Sequence, residues 1–174
     1  MFLRALEPED LELLYQIENQ PDLWQAGVTN VPYSRYVLRE FIRQSTSDIY
    51  RDGQVRLMAE NERHEVVGIA DLVNFSPTHL RAELGLVILP QHRHQGYASQ
   101  ILPQLCSYAR DVLHLHQLYS IVDKRNSACT AMFARLGIAP AATLPGWLFD
   151  GKDRHDAHLF VIPLTCCTID GRDS

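Results

Sequence analysis

The residues from 81 to 113 constrain this chain most. An apolar run, Leu84-Gly85-Leu86-Val87-Ile88-Leu89, follows Glu83 and is closed by Pro90. Its length and content suit a strand buried in a sheet. Arg93-His94-Gln95-Gly96-Tyr97-Ala98 comes next, and apolar residues then recur at 98, 101, 102, 105, 109, 112 and 113, the period of one helix face. A strand, a basic glycine turn and a helix in that order aim several N–H groups and the positive end of the helix dipole at one point, which suits a phosphate. Neither the Walker pattern nor G-x-G-x-x-G is present, so the two commonest phosphate loops are excluded. Pro103 falls inside the helix, where it removes the hydrogen bond to the Ser99 carbonyl and predicts a bend over 99–103.

The remaining periodicities describe a mixed α+β chain. Residues 2–6 read as a strand, followed by a helix with Pro8 in its first turn and Leu11, Leu14 and Tyr15 turned inward. Residues 24–33 read as a loop. Ser34 then caps a helix to about Gln44 that buries Tyr36, Val37, Phe41 and Ile42. Strands are expected over 54–60, 64–75, 83–89, 117–123, 139–149 and 155–162, with a further helix opened by Asn126 and ended by Gly137. A three-residue turn centred on Pro77 would place Asp71 directly across from Glu83 on one sheet face. Two facing carboxylates destabilise a sheet unless a cation lies between them or one holds a proton.

With 174 residues and no linker or repeat, the chain reads as one domain over 1–164 with a polar tail, 165–174. The formal charge of −5 disfavours a nucleic-acid surface and favours cationic or neutral partners. No apolar run approaches the ~20 residues of a membrane span, and the start lacks a signal-peptide core, so a cytoplasmic location is expected. Cys106, Cys129, Cys166 and Cys167 form no metal spacing and read as reduced structural thiols. The pairs His92/His94 and His114/His116 lack a third ligand at zinc spacing, so no metal is expected.

Arg93, Gly96 and Ala98, behind the Glu83-Leu84-Gly85 strand and Pro90, resemble the acyl-CoA loop of the GNAT N-acetyltransferases. The nearest branches are those acting on spermidine and other diamines and on ribosomal proteins. The segment Leu118-Tyr119-Ser120-Ile121-Val122-Asp123-Lys124-Arg125-Asn126, with Arg135-Leu136-Gly137-Ile138, resembles the spermidine branch again. The resemblance implies a GNAT fold, an α+β sandwich with a mixed, mostly antiparallel sheet of about six or seven strands flanked by about four helices. It also implies acetyl transfer from acetyl-CoA to a primary amine by direct attack. A polyamine or diamine is favoured as acceptor over a protein N-terminus, and a homo-oligomer is compatible with the layout.

By the same resemblance, the amides of Gln95, Gly96, Tyr97 and Ala98, with Arg93, His94 and Ser99, hold the diphosphate. Val87, Ile88 and Leu89 bind pantetheine as if it were a strand, one N–H polarising the thioester carbonyl. Asn126 adds a cofactor contact to its cap. Glu83 is the candidate base, Asp71 attracts the cation beside it, and Trp24, Tyr33 and Tyr36 are candidates for the acceptor wall, although aromatic residues at helical spacing more often form core. One departure stands out. Many members place a tyrosine in the fourth helix to protonate the CoA sulfur, and Phe133 fills that position here, where the resemblance makes it a cofactor contact. A phenyl ring donates no proton, and general-acid help is typically worth about 10²–10⁴-fold. A CoA-binding module with little turnover is therefore a second reading. Cys129, one turn away, is a weak substitute donor.

Overall fold

The computed structural model describes residues 1–20 and 32–164. Strands β1 (Phe2–Ala5), β2 (Val55–Glu60), β3 (Val66–Ser76), β4 (Arg81–Ile88), β5 (Gln117–Asp123), β6 (Pro140–Phe149) and β7 (Arg154–Pro163) form one sheet in the order β1-β2-β3-β4-β5-β7-β6. Every neighbouring pair is antiparallel except β4–β5, which is parallel. The helices are α1 (Leu11–Glu18), α2 (Arg35–Gln44), α3 (Ile49–Asp52), α4 (Tyr97–Asp111) and α5 (Ser127–Arg135). The single turn of α3 escapes periodicity. Asp48 accepts a hydrogen bond from Tyr50 N–H at its start and Gly53 closes it at φ +70.

Alternation along the strands divides the interior into two layers. Leu57, Leu72, Leu84, Leu118 and Phe160 point to one face, against Ile101, Leu102 and Leu105 of α4 and Met132 and Phe133 of α5. Met58 and Ile69 point to the other, against Leu14 and Ile17 of α1 and Leu38 of α2. Burying one such leucine is worth about 1.5–3 kcal/mol, so both helical layers are fixed to the sheet by their apolar stripes. In α2 the inward residue is Leu38, with Phe41 and Ile42 half-buried. Tyr36 and Val37 are 70% and 47% exposed, which corrects the inward assignment of both. The first two turn positions point away once Leu38 sets the helix rotation. α4 continues through Pro103 as one element, and it ends at Asp111, which leaves Val112 59% exposed.

The β3–β4 register differs from the expected one. The turn takes four residues, 77–80, between Ser76 and its partner Arg81, and the ladder is irregular between Val73 and Ser76, where Asn74 adopts φ +51. Val73 therefore faces Glu83, and Asp71 faces Gly85. The slip is two residues, so side-chain parity survives. Asp71 and Glu83 share a face but do not oppose each other.

Candidate active site

β4 and β5 pair over only three rungs, Arg81↔Gln117, Ala82↔Leu118 and Glu83↔Tyr119. β4 continues to Ile88 and β5 to Asp123 with no ladder between them, so a gap opens above Glu83 and Tyr119. On its other edge β4 remains tied to β3. Leu89 N–H donates to Val67 O at 2.9 Å, and the Val87 carbonyl lies so close over Gly68 that a Cβ there would stand 2.3 Å from it. Successive peptide groups alternate between the two edges of a strand, so Leu86 and Ile88 turn theirs toward the gap. Of the expected trio Val87, Ile88 and Leu89, only Ile88 offers its amide to the gap. The other two are committed to β3.

At the open end of the gap, Pro90–His92 forms a 3-10 turn and Gly96 is the N-cap of α4 at φ +80. His94 is also left-handed, at φ +61. These two conformations turn the chain back on itself and leave residues 93–96 exposed. Among the described residues, no backbone bond outside helices and strands is donated by Gln95 or Gly96, and the first-turn amides of Tyr97, Ala98 and Ser99 have no helical acceptor. A Cβ on Gly96 would meet nothing within 4 Å. The glycine is required by its backbone angle, and the space in front of it is open. Arg93 folds back so that Nε donates to Ile88 O at 3.2 Å, and Gln95 Nε2 donates to Gln91 O at 3.0 Å. Asn126 caps α5 by accepting from Cys129 N–H at 3.0 Å. A hollow of about 660 Å³, lined by Arg63, His92, Gln95 and Tyr97 among others, opens on the β2 side of the loop, away from the gap.

The carboxylates at the closed end have separate partners. Glu83 Oε2 accepts from Asn74 Nδ2 at 2.7 Å and interacts with the Tyr119 phenol. Burial, the Glu83 charge and a hydrogen bond to it together raise that phenol above its ordinary value. Asp71 is gripped bidentately by Arg56, at 2.7 Å from Nε and 2.9 Å from Nη2, and Arg56 Nη1 also reaches Glu18. Burial disfavours the guanidinium charge, but Asp71 and Glu18 outweigh it and hold Arg56 above its ordinary value. The arginine is a permanent cation on Asp71, lying 5.6 Å from the Phe41 ring centroid. The expected open pair of Asp71 and Glu83 is therefore absent, because register and Arg56 separate them.

The other expected residues divide. Trp24 lies outside the described residues. Tyr33 sits in the α1–α2 layer, its backbone bracketed by the Asn19 side chain at 2.8 and 3.0 Å, whereas Tyr36 projects outward. Phe133 is 1% exposed and stacked on Phe160, with centroids 4.1 Å apart and planes at 13°. A ring so enclosed offers almost no surface to a cofactor, which corrects its assignment as a cofactor contact. Burial pushes the Cys129 thiol up to about 11, making it a poor proton donor. Among the described residues no three His, Cys, Asp or Glu side chains gather as a metal set, and no helix is long and apolar enough to cross a membrane. Sequence reasoning missed Arg56, Asn74 and Tyr119. Arg56 carried the one visible signal, a charge set within an apolar strand.

A splayed parallel strand pair with unpaired amides at its mouth is the architecture expected of an acyl-CoA enzyme, and comparison with known proteins decides the family. The model of the acetyltransferase (GNAT) domain matches residues 1–139. The chain belongs to the GNAT family. This GNAT protein is an acetyl-CoA-dependent N-acetyltransferase by that membership and by its relatives. It is 30% identical over 137 residues to spermidine N(1)-acetyltransferase of Escherichia coli K12, covering 79% of this chain and 72% of that one. Its fold superposes on Vibrio cholerae spermidine N-acetyltransferase in complex with CoA and spermine with a TM-score of 0.81 at 23% identity, covering 94% and 95% of the two chains. A dodecameric structure of the Vibrio enzyme gives 0.78 at 23% identity, covering 94% and 93%.

Proposed function

We propose that this GNAT enzyme acetylates a polyamine or diamine by direct attack of the amine on acetyl-CoA. The observation that carries the reading is the run of unpaired amides from Gln95 to Ser99 at the mouth of the β4–β5 gap, with Glu83 at its closed end. In this reading the amides and the α4 dipole hold the diphosphate, and Arg93 and His94 add positive and donor groups. Pantetheine lies along β4, and the Ile88 N–H polarises the thioester carbonyl as negative charge develops on its oxygen. From Ile88 back to Glu83 is five residues, about 17 Å of strand, a separation that intervening water would have to span for the carboxylate to act on the attacking amine.

The acceptor arrives as an ammonium ion and must lose a proton before it attacks. Glu83 takes that proton through intervening water, and Asn74 fixes its orientation. Glu18, Asp71 and Glu83 bring carboxylates to this neighbourhood alongside Arg56 and Arg81, a lining in keeping with a cationic acceptor. Tyr33 and Tyr36, with Trp24, are proposed as acceptor contacts, and Asn126 is proposed to add a cofactor contact to its helix cap. An assembly of several copies is part of the same proposal and is read by light scattering.

The test is a panel of spermidine, spermine, diamines, monoamines and peptide N-termini, read by release of CoA thiol. Turnover should be greatest with polyamines and strongly reduced by Glu83→Gln. Turnover on peptides alone would overturn the acceptor assignment. The buried Phe133 favours one second reading, a CoA binder with little turnover. That reading predicts acetyl-CoA uptake with no thiol release from any amine.

A further inference from the structure

We propose that Arg93 confines this enzyme to acyl donors that carry a diphosphate. Its guanidinium caps the backbone oxygen on which a pantetheine arm settles, and a diphosphate draws it away. The inference rests on the acetyl-transfer reading above and adds the class of donor that the site refuses. That class is the thioesters of pantetheine, or of phosphopantetheine borne on a carrier, which have no diphosphate.

The cap follows from the path of the chain. β4 ends at Ile88, and the Pro90–His92 turn is closed by His92 N–H to Leu89 O at 2.8 Å and Arg93 N–H to Pro90 O at 3.3 Å. Arg93 is thereby brought back beside the strand it has just left, and its Nε donates to Ile88 O at 3.2 Å. A strand residue turns its N–H and its C=O to the same edge. The Ile88 pair faces the β4–β5 gap, since Val87 and Leu89 are committed to β3. A donor lies in front of the oxygen it serves, so the guanidinium stands on the gap edge of β4. A pantetheine arm lying there as an added strand takes its thioester carbonyl to Ile88 N–H and points its nearest amide N–H at Ile88 O. Arg93 and the arm compete for that oxygen.

Little else holds the guanidinium in place. Arg93 is exposed, and among the described residues no carboxylate pairs with it and its two terminal amino groups have no partner. Its charge is unpaired two positions before Gln95, where the run of unpaired amides begins. An anion seated on those amides is within reach of the same side chain. A bidentate, charge-assisted pair with a phosphate is stronger than one bond to a neutral carbonyl. A donor with a diphosphate therefore replaces the cap with a better partner and uncovers Ile88 O for its own arm. A donor without one breaks the cap and puts nothing in its place. Arg93 thus ties the filling of the diphosphate seat to the opening of the seat for the arm.

The experiment measures kcat/KM for acetyl-CoA and for S-acetyl-pantetheine, with the amine that the panel above turns over fastest. Wild type is compared with Arg93→Met, which keeps an aliphatic stem and removes every donor. The expected changes are opposite in sign. With S-acetyl-pantetheine the variant gains about 2–10-fold, because no cap has to be broken. With acetyl-CoA it loses about 2–10-fold, the margin by which a phosphate pair exceeds the cap. Inorganic diphosphate added in trans should also raise wild-type turnover of S-acetyl-pantetheine and leave that of Arg93→Met unchanged. A change of the same sign with both donors, or no change with S-acetyl-pantetheine, overturns the proposal. So does inorganic diphosphate that inhibits wild type on S-acetyl-pantetheine or has no effect on it. If Arg93→Met does not fold, the effect of diphosphate on wild type alone decides. Wild type that releases no thiol from acetyl-CoA with any amine overturns the acetyl-transfer reading instead, so the two failures are distinct.

Discussion

Gly96→Ala isolates the cofactor grip from the stability of the fold. At φ +80 the alanine backbone is strained, and a left-handed L-residue costs about 1–2 kcal/mol. Within the protein nothing else is lost, because the added Cβ meets no atom within 4 Å. A diphosphate seated on the Gln95–Ser99 amides would fill that space. If the methyl displaces it from two charge-assisted hydrogen bonds at about 1.5–3 kcal/mol each, acetyl-CoA affinity falls about 10²–10⁴-fold. Gly53→Ala is the matched control. It has φ +70, no neighbour within 4 Å and a place at the opposite end of β2 from the loop. Urea unfolding should show both variants destabilised by about the same amount, and calorimetry should show only Gly96→Ala losing the cofactor. Binding within about threefold of wild type by Gly96→Ala would refute the placement of the diphosphate.

Three further outcomes follow from the packing. Gly68→Ala would drive a Cβ to 2.3 Å from the Val87 carbonyl; because the obstacle is backbone, urea unfolding should show a loss of about 3 kcal/mol or more, with the β3–β4 amides first to exchange hydrogen. Phe133→Tyr would add a hydroxyl to a ring stacked in the core, costing about 1–3 kcal/mol if it finds no partner and giving no gain in kcat; a large gain in the amine assay would show that the site of the missing acid is open to the cofactor. Asp10 is the pH probe. Burial raises its pKa, but hydrogen bonds from Arg4 and the Glu7 N–H outweigh that and leave it below the usual carboxylate value. A carboxylate lowered in the folded state contributes stability that is complete above the unfolded value of about 3.9 and is lost as pH falls through the folded one. Urea midpoints taken from pH 7 to pH 2 should therefore fall less steeply for Asp10→Asn than for wild type.

The glycine turn that opens α4 was legible because its determinants are local. A strand-length apolar run, a glycine that tolerates φ > 0 and a helix start each depend on residues within about ten positions of one another, and backbone chemistry turns them into a row of unpaired amides. The element order and most strand limits were legible for the same reason, since a period of two or 3.6 is written along the chain itself. Side-chain parity in β3 and β4 survived an error in the turn, because a slip of two residues preserves which face a residue takes.

What only the tertiary structure decided is which side chain meets which. The extra residue in the β3–β4 turn and the irregularity at Asn74 moved Asp71 away from Glu83. Sheet order brought Arg56 onto Asp71 across 15 positions of sequence and Tyr119 beside Glu83 across 36. Phe133 fits its helical period whether it faces the cofactor or the core, and stacking on Phe160, a residue of β7, decided for the core. Pairings of this kind arise from register and crossover between distant segments, where no local periodicity carries information, and it is there that the surroundings of Asp71 and Glu83 are set.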